Sequence, residues 1–301
     1  MNALTAASPA RRGATADRTI GASLVLIAVY LALTAWPALL GARATGDPRA
    51  LLVHLALLGA AAGLAATTRP RLRRLRDLLP LAVGAFLYVE LRWLIPAFGR
   101  PHADAIVVGW ERRLFPSNPS ATWAPSLPSL LVSETLHLAY ASYYLLVLLP
   151  PLVLYLRGRR TDYARTMLAL VLVYAACFLT YLVFPVDGPR YLVGAAAAPD
   201  GPVRAAVLHL LAAGSSRGTA FPSSHVAASV VASLCALRFQ RRLGVVIALL
   251  TCGLALGTVY GGFHYAVDAL AGGIVGLAAW GLASTLWRAL SSPGAQSASA
   301  A

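Results

Sequence analysis

The chain has 301 residues, of which 58% are hydrophobic and 12% charged, with a formal charge of +14. Soluble domains carry about 25% charged residues, so this composition excludes an ordinary water-soluble globule and points to lipid as the solvent. Every basic residue is Arg, and the arginines form short runs between apolar segments, a membrane pattern rather than a nucleic-acid-binding face.

Residues 1–18 are polar and rich in small side chains. They are predicted to form a disordered cytoplasmic tail, not a cleaved signal, because the apolar run after them is of full membrane length. A spanning helix needs about 20 apolar residues. Such runs lie near 20–41, 50–67, 78–97, 132–156, 163–184, 223–238, 243–260 and 265–288. The expected fold class is therefore all-α, a polytopic bundle of about eight spans, with the sixth and seventh short. Between the third and fourth runs, Trp110, Leu114, Phe115, Trp123 and Leu127 make 98–131 too apolar for a plain loop. That stretch reads as an interfacial or re-entrant segment.

Arginine placement orients the bundle. Arg11, Arg12 and Arg18 precede the first run, and Arg69, Arg71, Arg73, Arg74 and Arg76 lie between the second and third. Arg157, Arg159, Arg160 and Arg165 lie between the fourth and fifth, Arg238, Arg241 and Arg242 between the sixth and seventh, and Arg288 closes the eighth. With eight spans all of these fall on one side, which the positive-inside rule makes cytoplasmic. Both termini are then inside a cell (plasma) membrane, and the loops 42–49, 98–131, 185–222 and 261–264 are outside. One membrane domain, 19–290, is expected, with its catalytic core at about 163–288 and a second disordered tail at 291–301. Cys177, Cys235 and Cys252 sit inside apolar runs without metal-ligand spacing and read as small packing residues.

Three polar stretches carry chemistry. In Phe221-Pro222-Ser223-Ser224-His225 the proline favours a helix start. That places Ser223, Ser224 and His225 at a helix N-terminus, a ready phosphate site; the bland alternative is a helix cap with a chance histidine. In Phe263-His264-Tyr265-Ala266-Val267-Asp268 the histidine and aspartate are four apart. On a helix they share a face, where the carboxylate can fix the imidazole tautomer and leave the other nitrogen free to attack. The alternative is a polar pair satisfying itself between helices, although an Asp in an apolar span is by default functional. In Asp187-Gly188-Pro189-Arg190 the arginine is a fixed cation just above the bilayer, and Arg217 is a second on the same side. Two guanidiniums can clamp phosphate oxygens; either can instead snorkel to headgroups.

Taken in order, Gly-Pro-Arg, Phe-Pro-Ser-Ser-His and His-Tyr-x-x-Asp-x-x-x-Gly resemble the type 2 phosphatidic acid phosphatase superfamily, and most of all its inositol phosphorylceramide synthase-like branch. The likeness covers roughly the last 120 residues. It implies that His264 is the nucleophile, Asp268 its orienting partner and His225 the acid that protonates the leaving group. Ser223, the backbone of Ser224 and Arg190 would hold phosphate oxygens. Three positions depart from the phosphatase pattern: Val183 stands where a first-motif Lys is expected, Ser224 replaces a Gly, and Gly257-Thr258 replaces Ser-Arg. These changes lean towards the phosphotransferase branch and leave Arg217 to supply one missing cation.

Glu90, Arg92, His137, Tyr140 and Tyr144 are polar groups within the runs, with the last three on one face near the outer end of the fourth. They line a headgroup pocket, or Glu90 and Arg92 serve as an inter-helix pair; His54 reads as an interhelical hydrogen-bond residue. The expected activity is transfer of a lipid phosphate or phosphodiester group to water or a polyol such as inositol, through a phosphohistidine. Neither cofactor, metal nor nucleic acid is expected. The other reading is a non-enzymatic lipid-binding or transport protein on the same fold.

Overall fold

The computed structural model describes residues 9–194 and 196–292. The architecture is an all-α bundle, and among the described residues the one β-type pairing is an isolated bridge between Val186 and Thr219. In chain order, α1 (Pro9–Thr45), α2 (Arg49–Ala65) and α3 (Arg73–Phe98) form an N-terminal group. Two short helices follow, α4 (Asp104–Leu114) and α5 (Pro119–Ser126), in the stretch expected to lie at the interface. Next come α6 (Leu130–Ala141), α7 (Tyr143–Leu156) and α8 (Arg160–Val183), then the short α9 (Pro189–Leu192) and α10 (Pro202–Gly214). The chain ends with α11 (Ser224–Phe239), α12 (Arg241–Tyr260) and α13 (Ala266–Ser291).

All eight apolar runs are helical, but they differ in reach. α1, α3, α8, α12 and α13 are each long and apolar enough to cross a membrane, and α6 with α7, bent by 42° at their break, is long and apolar enough as a pair. The bend follows Ser142, whose hydroxyl donates back to the Ala139 carbonyl at 2.6 Å, a local competition with the helical ladder that bends helices. α2 and α11 have 17 and 16 residues, about 25 Å at 1.5 Å per residue, short of a 30 Å hydrocarbon core. α11 is surrounded by protein instead of lipid: its small residues Ala227, Ala228, Ser229 and Ala232 are all buried. Gly272 and Gly276 permit this approach from α13, because a Cβ at Gly272 would stand 2.5 Å from the Ser223 carbonyl oxygen.

The expected N-terminal tail needs correction. Residues 1–8 lie outside the described residues, but Pro9–Arg18 are the first turns of α1. They are held by charge: Asp17 takes the guanidiniums of Arg76 at 3.0 Å and Arg160 at 2.7 Å, and Arg160 also grips Asp77. The Arg18 side chain donates to the carbonyl of Leu290 at 2.9 Å. A polar sequence thus forms helix because its charges meet partners on α3 and α8. At the other end Ser291 closes α13, and 293–301 lie outside the described residues.

Candidate active site

Two loops meet at one end of the bundle. Val186 and Thr219 form a parallel bridge, with Ala220 donating to the Val186 carbonyl at 2.8 Å. The Asp187 carboxylate accepts the Gly218 N–H at 2.9 Å. Asp104, at the start of α4, accepts the N–H groups of Asp187 and Gly188 at 3.0 and 2.9 Å. The loop that delivers Arg190 is therefore pinned on both sides. Gly188 turns it at φ +82°, where a side chain would also strike Ala220.

Arg190 sits on α9, donates to the Ser215 hydroxyl and lies 4.6 Å over the Tyr191 ring. His225 is in the first turn of α11. Its ring is framed by Tyr143 at 4.3 Å, Tyr140 at 5.4 Å and Tyr88 at 6.4 Å between centroids. His264 follows the Gly261-Gly262 turn, and its ring centroid is 6.0 Å from that of His225. These groups line one cavity of about 70 Å³, together with Tyr140, Tyr144 and Tyr191, among others. Its size suits a phosphate rather than a whole lipid.

His264 is buried, and its Nδ1 lies 3.0 Å from the Ala220 carbonyl oxygen. A carbonyl only accepts, so Nδ1 carries the proton and Nε2 carries the lone pair. Burial, opposed by the Ala220 hydrogen bond and helped by the Arg190 cation, brings the imidazole down to about 4. The ring is consequently neutral at physiological pH. NMR titration of imidazole-labelled protein is expected to show His264 losing its lone pair only as pH falls towards about 4. Titration near the ordinary imidazole value of about 6.5 would contradict that environment.

Asp268 occupies a different place from the expected one. His264 is not helical: it precedes α13, whose N-cap is Tyr265. Asp268 is in the first turn of α13, fully buried, and its Oδ2 accepts the Tyr265 N–H at 2.8 Å. It stands 3.6 Å from His264 Nδ1, beyond hydrogen-bond range, and the Nδ1–H donates to the Ala220 carbonyl instead. The other carboxylate oxygen, Oδ1, is buried and has no hydrogen-bond partner among the described residues.

The remaining expected site residues divide. Tyr140 and Tyr144 line the cavity. Ser223 does not: it is the N-cap of α11 and accepts the Val226 N–H at 3.4 Å. The Ser224 N–H donates to the Tyr181 hydroxyl at 3.1 Å instead of facing the cavity. Arg217 is 64% exposed and points at Asp187, 3.7 Å away. Glu90 pairs with His54, which also bonds the Leu31 carbonyl at 2.8 Å, so it belongs to an inter-helix contact rather than a headgroup pocket. Arg92 is exposed beside Trp93, and His137 bonds the Ser133 carbonyl at 2.7 Å behind Phe263. Apart from Arg92, a nearer polar partner captures each of these groups.

Two features went unseen in the sequence. Glu111 on α4 is buried and accepts the N–H groups of Ala266 and Val267 at 3.1 and 2.9 Å, anchoring the start of α13 beside His264. Its signal, an acid in an amphipathic stretch, does not distinguish it from a surface charge. Glu111→Ala leaves two helix N–H groups without an acceptor, each worth about 1–3 kcal/mol when buried. Thermal unfolding in detergent should show the loss, and an unchanged midpoint would contradict the anchoring role. Secondly, His102, Asp104 and Asp187 bring ligand atoms within 4.8 Å of one another. Their oxygens already accept backbone N–H groups, which accounts for the cluster as a loop clasp.

Residues 106–282, more than half of the chain, match a family model described as the PAP2 superfamily. No curated protein and no solved structure matches the chain. The match runs from α4 into α13 and leaves α1 to α3 outside it.

Proposed function

We propose, from the premise that this chain belongs to the PAP2 superfamily, that it is a membrane lipid phosphotransferase or phosphatase working through a phosphohistidine at the extracytoplasmic face. The observation that carries this reading is the convergence of His225, His264 and Arg190 on one phosphate-sized cavity. His264 Nε2 attacks phosphorus, the bond to the leaving oxygen breaks, and His225 supplies that oxygen with a proton. Water or an alcohol then gives its proton to His225 and attacks phosphorus, and the N–P bond breaks. Arg190 balances charge on the non-bridging oxygens. Asp268, buried behind the imidazole, steadies the positive charge that His264 gains on phosphorylation.

The group held on His264 is a phosphate, or a phospho-alcohol such as phosphoinositol where the substrate is a diester. The acceptor is water or a polyol such as inositol, in line with the branch that the motifs resemble. Purified protein in vesicles, given phosphorus-labelled phosphatidic acid or phosphatidylinositol with and without inositol, decides between these by product identity. Retention of every label in intact lipid favours a non-enzymatic lipid-binding protein and overturns the reading.

Both termini are cytoplasmic in this proposal, because the basic loops all lie opposite the segments 185–222 and 261–264. Val193 is 77% exposed on the proposed outer side, and Arg71 is exposed on the other. Val193→Cys should react with an impermeant maleimide in intact cells, while Arg71→Cys should react only after the membrane is breached. The reverse pattern inverts the topology and moves the substrate to the inner leaflet.

A further inference from the structure

At the end of the bundle away from the histidines, α8, α11 and α13 enclose a second group of cations. Arg165, in the second turn of α8, lies over the Trp287 ring at 3.8 Å and the Phe239 ring at 5.0 Å. Arg238, in the last turn of α11, is 6.0 Å from the Phe239 ring. Both arginines line one recess of about 10 Å³ with Cys235, Trp280, Ala283 and Ser284. The acids at this end are already taken. Asp17 holds Arg76 and Arg160, Asp77 holds Arg160, and Asp162 holds Arg159. Among the described residues neither Arg165 nor Arg238 has a carboxylate partner. In the ring that Arg165 covers, Trp287 Nε1 is buried and likewise has no acceptor among the described residues.

An arginine that only snorkels extends its head to water. Arg165 is instead held against two rings, one of them on the buried Trp287, and contacts of this kind fix a guanidinium while leaving its N–H edge free. Two guanidiniums at one recess repel each other until an anion joins them. We propose that this recess binds a phosphate oxyanion, clamped by Arg165 and Arg238. A recess of this volume takes about one oxygen, so the rest of the anion sits at its mouth, where Arg238 is exposed. The ligand class is the phosphate group of an anionic phospholipid in the leaflet at this end, which is the inner one in the topology proposed above, or free phosphate. The site is distinct from the catalytic cavity: His225 and Arg238 stand at opposite ends of α11, about 20 Å apart at 1.5 Å per residue. An anion bound there ties together the far ends of α8, which leads to the Arg190 loop, α11, which carries His225, and α13, which follows His264. It does not depend on the reading of the histidines.

Lipid binding tests the recess without relying on turnover. The full-length protein in neutral detergent is titrated with phosphatidylglycerol, with phosphatidylcholine of the same chain length as the control, and bound lipid is counted by native mass spectrometry. The wild type should hold one phosphatidylglycerol in preference to phosphatidylcholine. Arg165→Gln combined with Arg238→Gln should weaken that lipid by about tenfold or more, the factor that lost charge-assisted bonds supply. Arg73→Gln combined with Arg74→Gln, both exposed at the same end, should bind as the wild type does. Arg190→Gln should also keep the lipid, which excludes the catalytic cavity as its seat. Equal weakening by the Arg73 and Arg74 pair, loss of the lipid with Arg190→Gln, or full binding by the Arg165 and Arg238 pair overturns the proposal. A second measurement is independent of the arginine variants. In the wild type with isotope-labelled tryptophan, the indole N–H signal of Trp287, assigned by Trp287→Phe, should shift as phosphatidylglycerol is added. An unmoved signal overturns the proposal. Inorganic phosphate that moves the same signal assigns the recess to the free anion; movement with the lipid alone assigns it to the headgroup.

Discussion

Replacing His264 by alanine is expected to lower kcat/KM for a lipid phosphate by roughly five to six orders of magnitude, the scale seen when a covalent mechanism loses its nucleophile. His225 is a second imidazole lining the cavity, 6.0 Å away between ring centroids, but it is assigned to the leaving oxygen. Asp268→Asn should cost much less than His264→Ala. The imidazole keeps its 3.0 Å bond to the Ala220 carbonyl, so its tautomer and orientation survive the loss of charge 3.6 Å away. Steady-state rates of both variants, set beside their thermal unfolding midpoints, check this. Equal losses in two well-folded variants would make Asp268 the orienting partner and Ala220 incidental.

His225→Gln is expected to slow the first-turnover release of the leaving alcohol from an alkyl phosphate by about 10²–10⁴-fold, the usual contribution of a positioned general acid, yet to keep a near-wild-type first-turnover burst on a nitrophenyl phosphate; later turnovers slow on both, because His225 also takes the proton of the attacking water. A nitrophenolate leaves without a proton; an alkoxide does not. Glutamine keeps much of the bulk of the imidazole, so the comparison reads protonation more than shape. The decisive quantity is the ratio of the two losses. A variant that loses both substrates equally would make His225 a binding residue, and one that loses neither would move the leaving oxygen elsewhere.

Much of this was legible in the sequence. Apolar runs punctuated by arginine read as helices because lipid solvation demands length and composition together. Pro222 and the serines after it marked the start of α11, so His225 was placed at a helix terminus from the chain alone. What the sequence could not show was which polar group each side chain meets. The bond to His264 Nδ1 comes from Ala220, 44 residues away, through a loop pairing with no local signature. The i, i+4 spacing of His264 and Asp268 puts them on one face only of a continuous helix, whereas α13 starts between them. Ser223 and Ser224 looked like phosphate ligands because helix N-termini offer free N–H groups. Here those of Ser223 and Ser224 bond the Asp268 carbonyl at 3.0 Å and the Tyr181 hydroxyl at 3.1 Å. Glu90 and Arg217 were captured likewise, by His54 and Asp187. Residue type and spacing fix which groups approach the site; the last 3 Å of partner choice depends on loops folded against each other.

A covalent phosphate on His264 can be trapped within a single turnover. The wild-type protein is mixed with a phosphorus-labelled lipid phosphate, quenched in base within the first turnover, digested and mapped by mass spectrometry. The account predicts an acid-labile phosphoryl group on the peptide containing His264, attached at Nε2, present in Asp268→Asn and absent from His264→Ala. Label on His225 would exchange the two histidines' roles. Turnover of the lipid with no trapped phosphohistidine on any peptide would contradict the covalent mechanism itself.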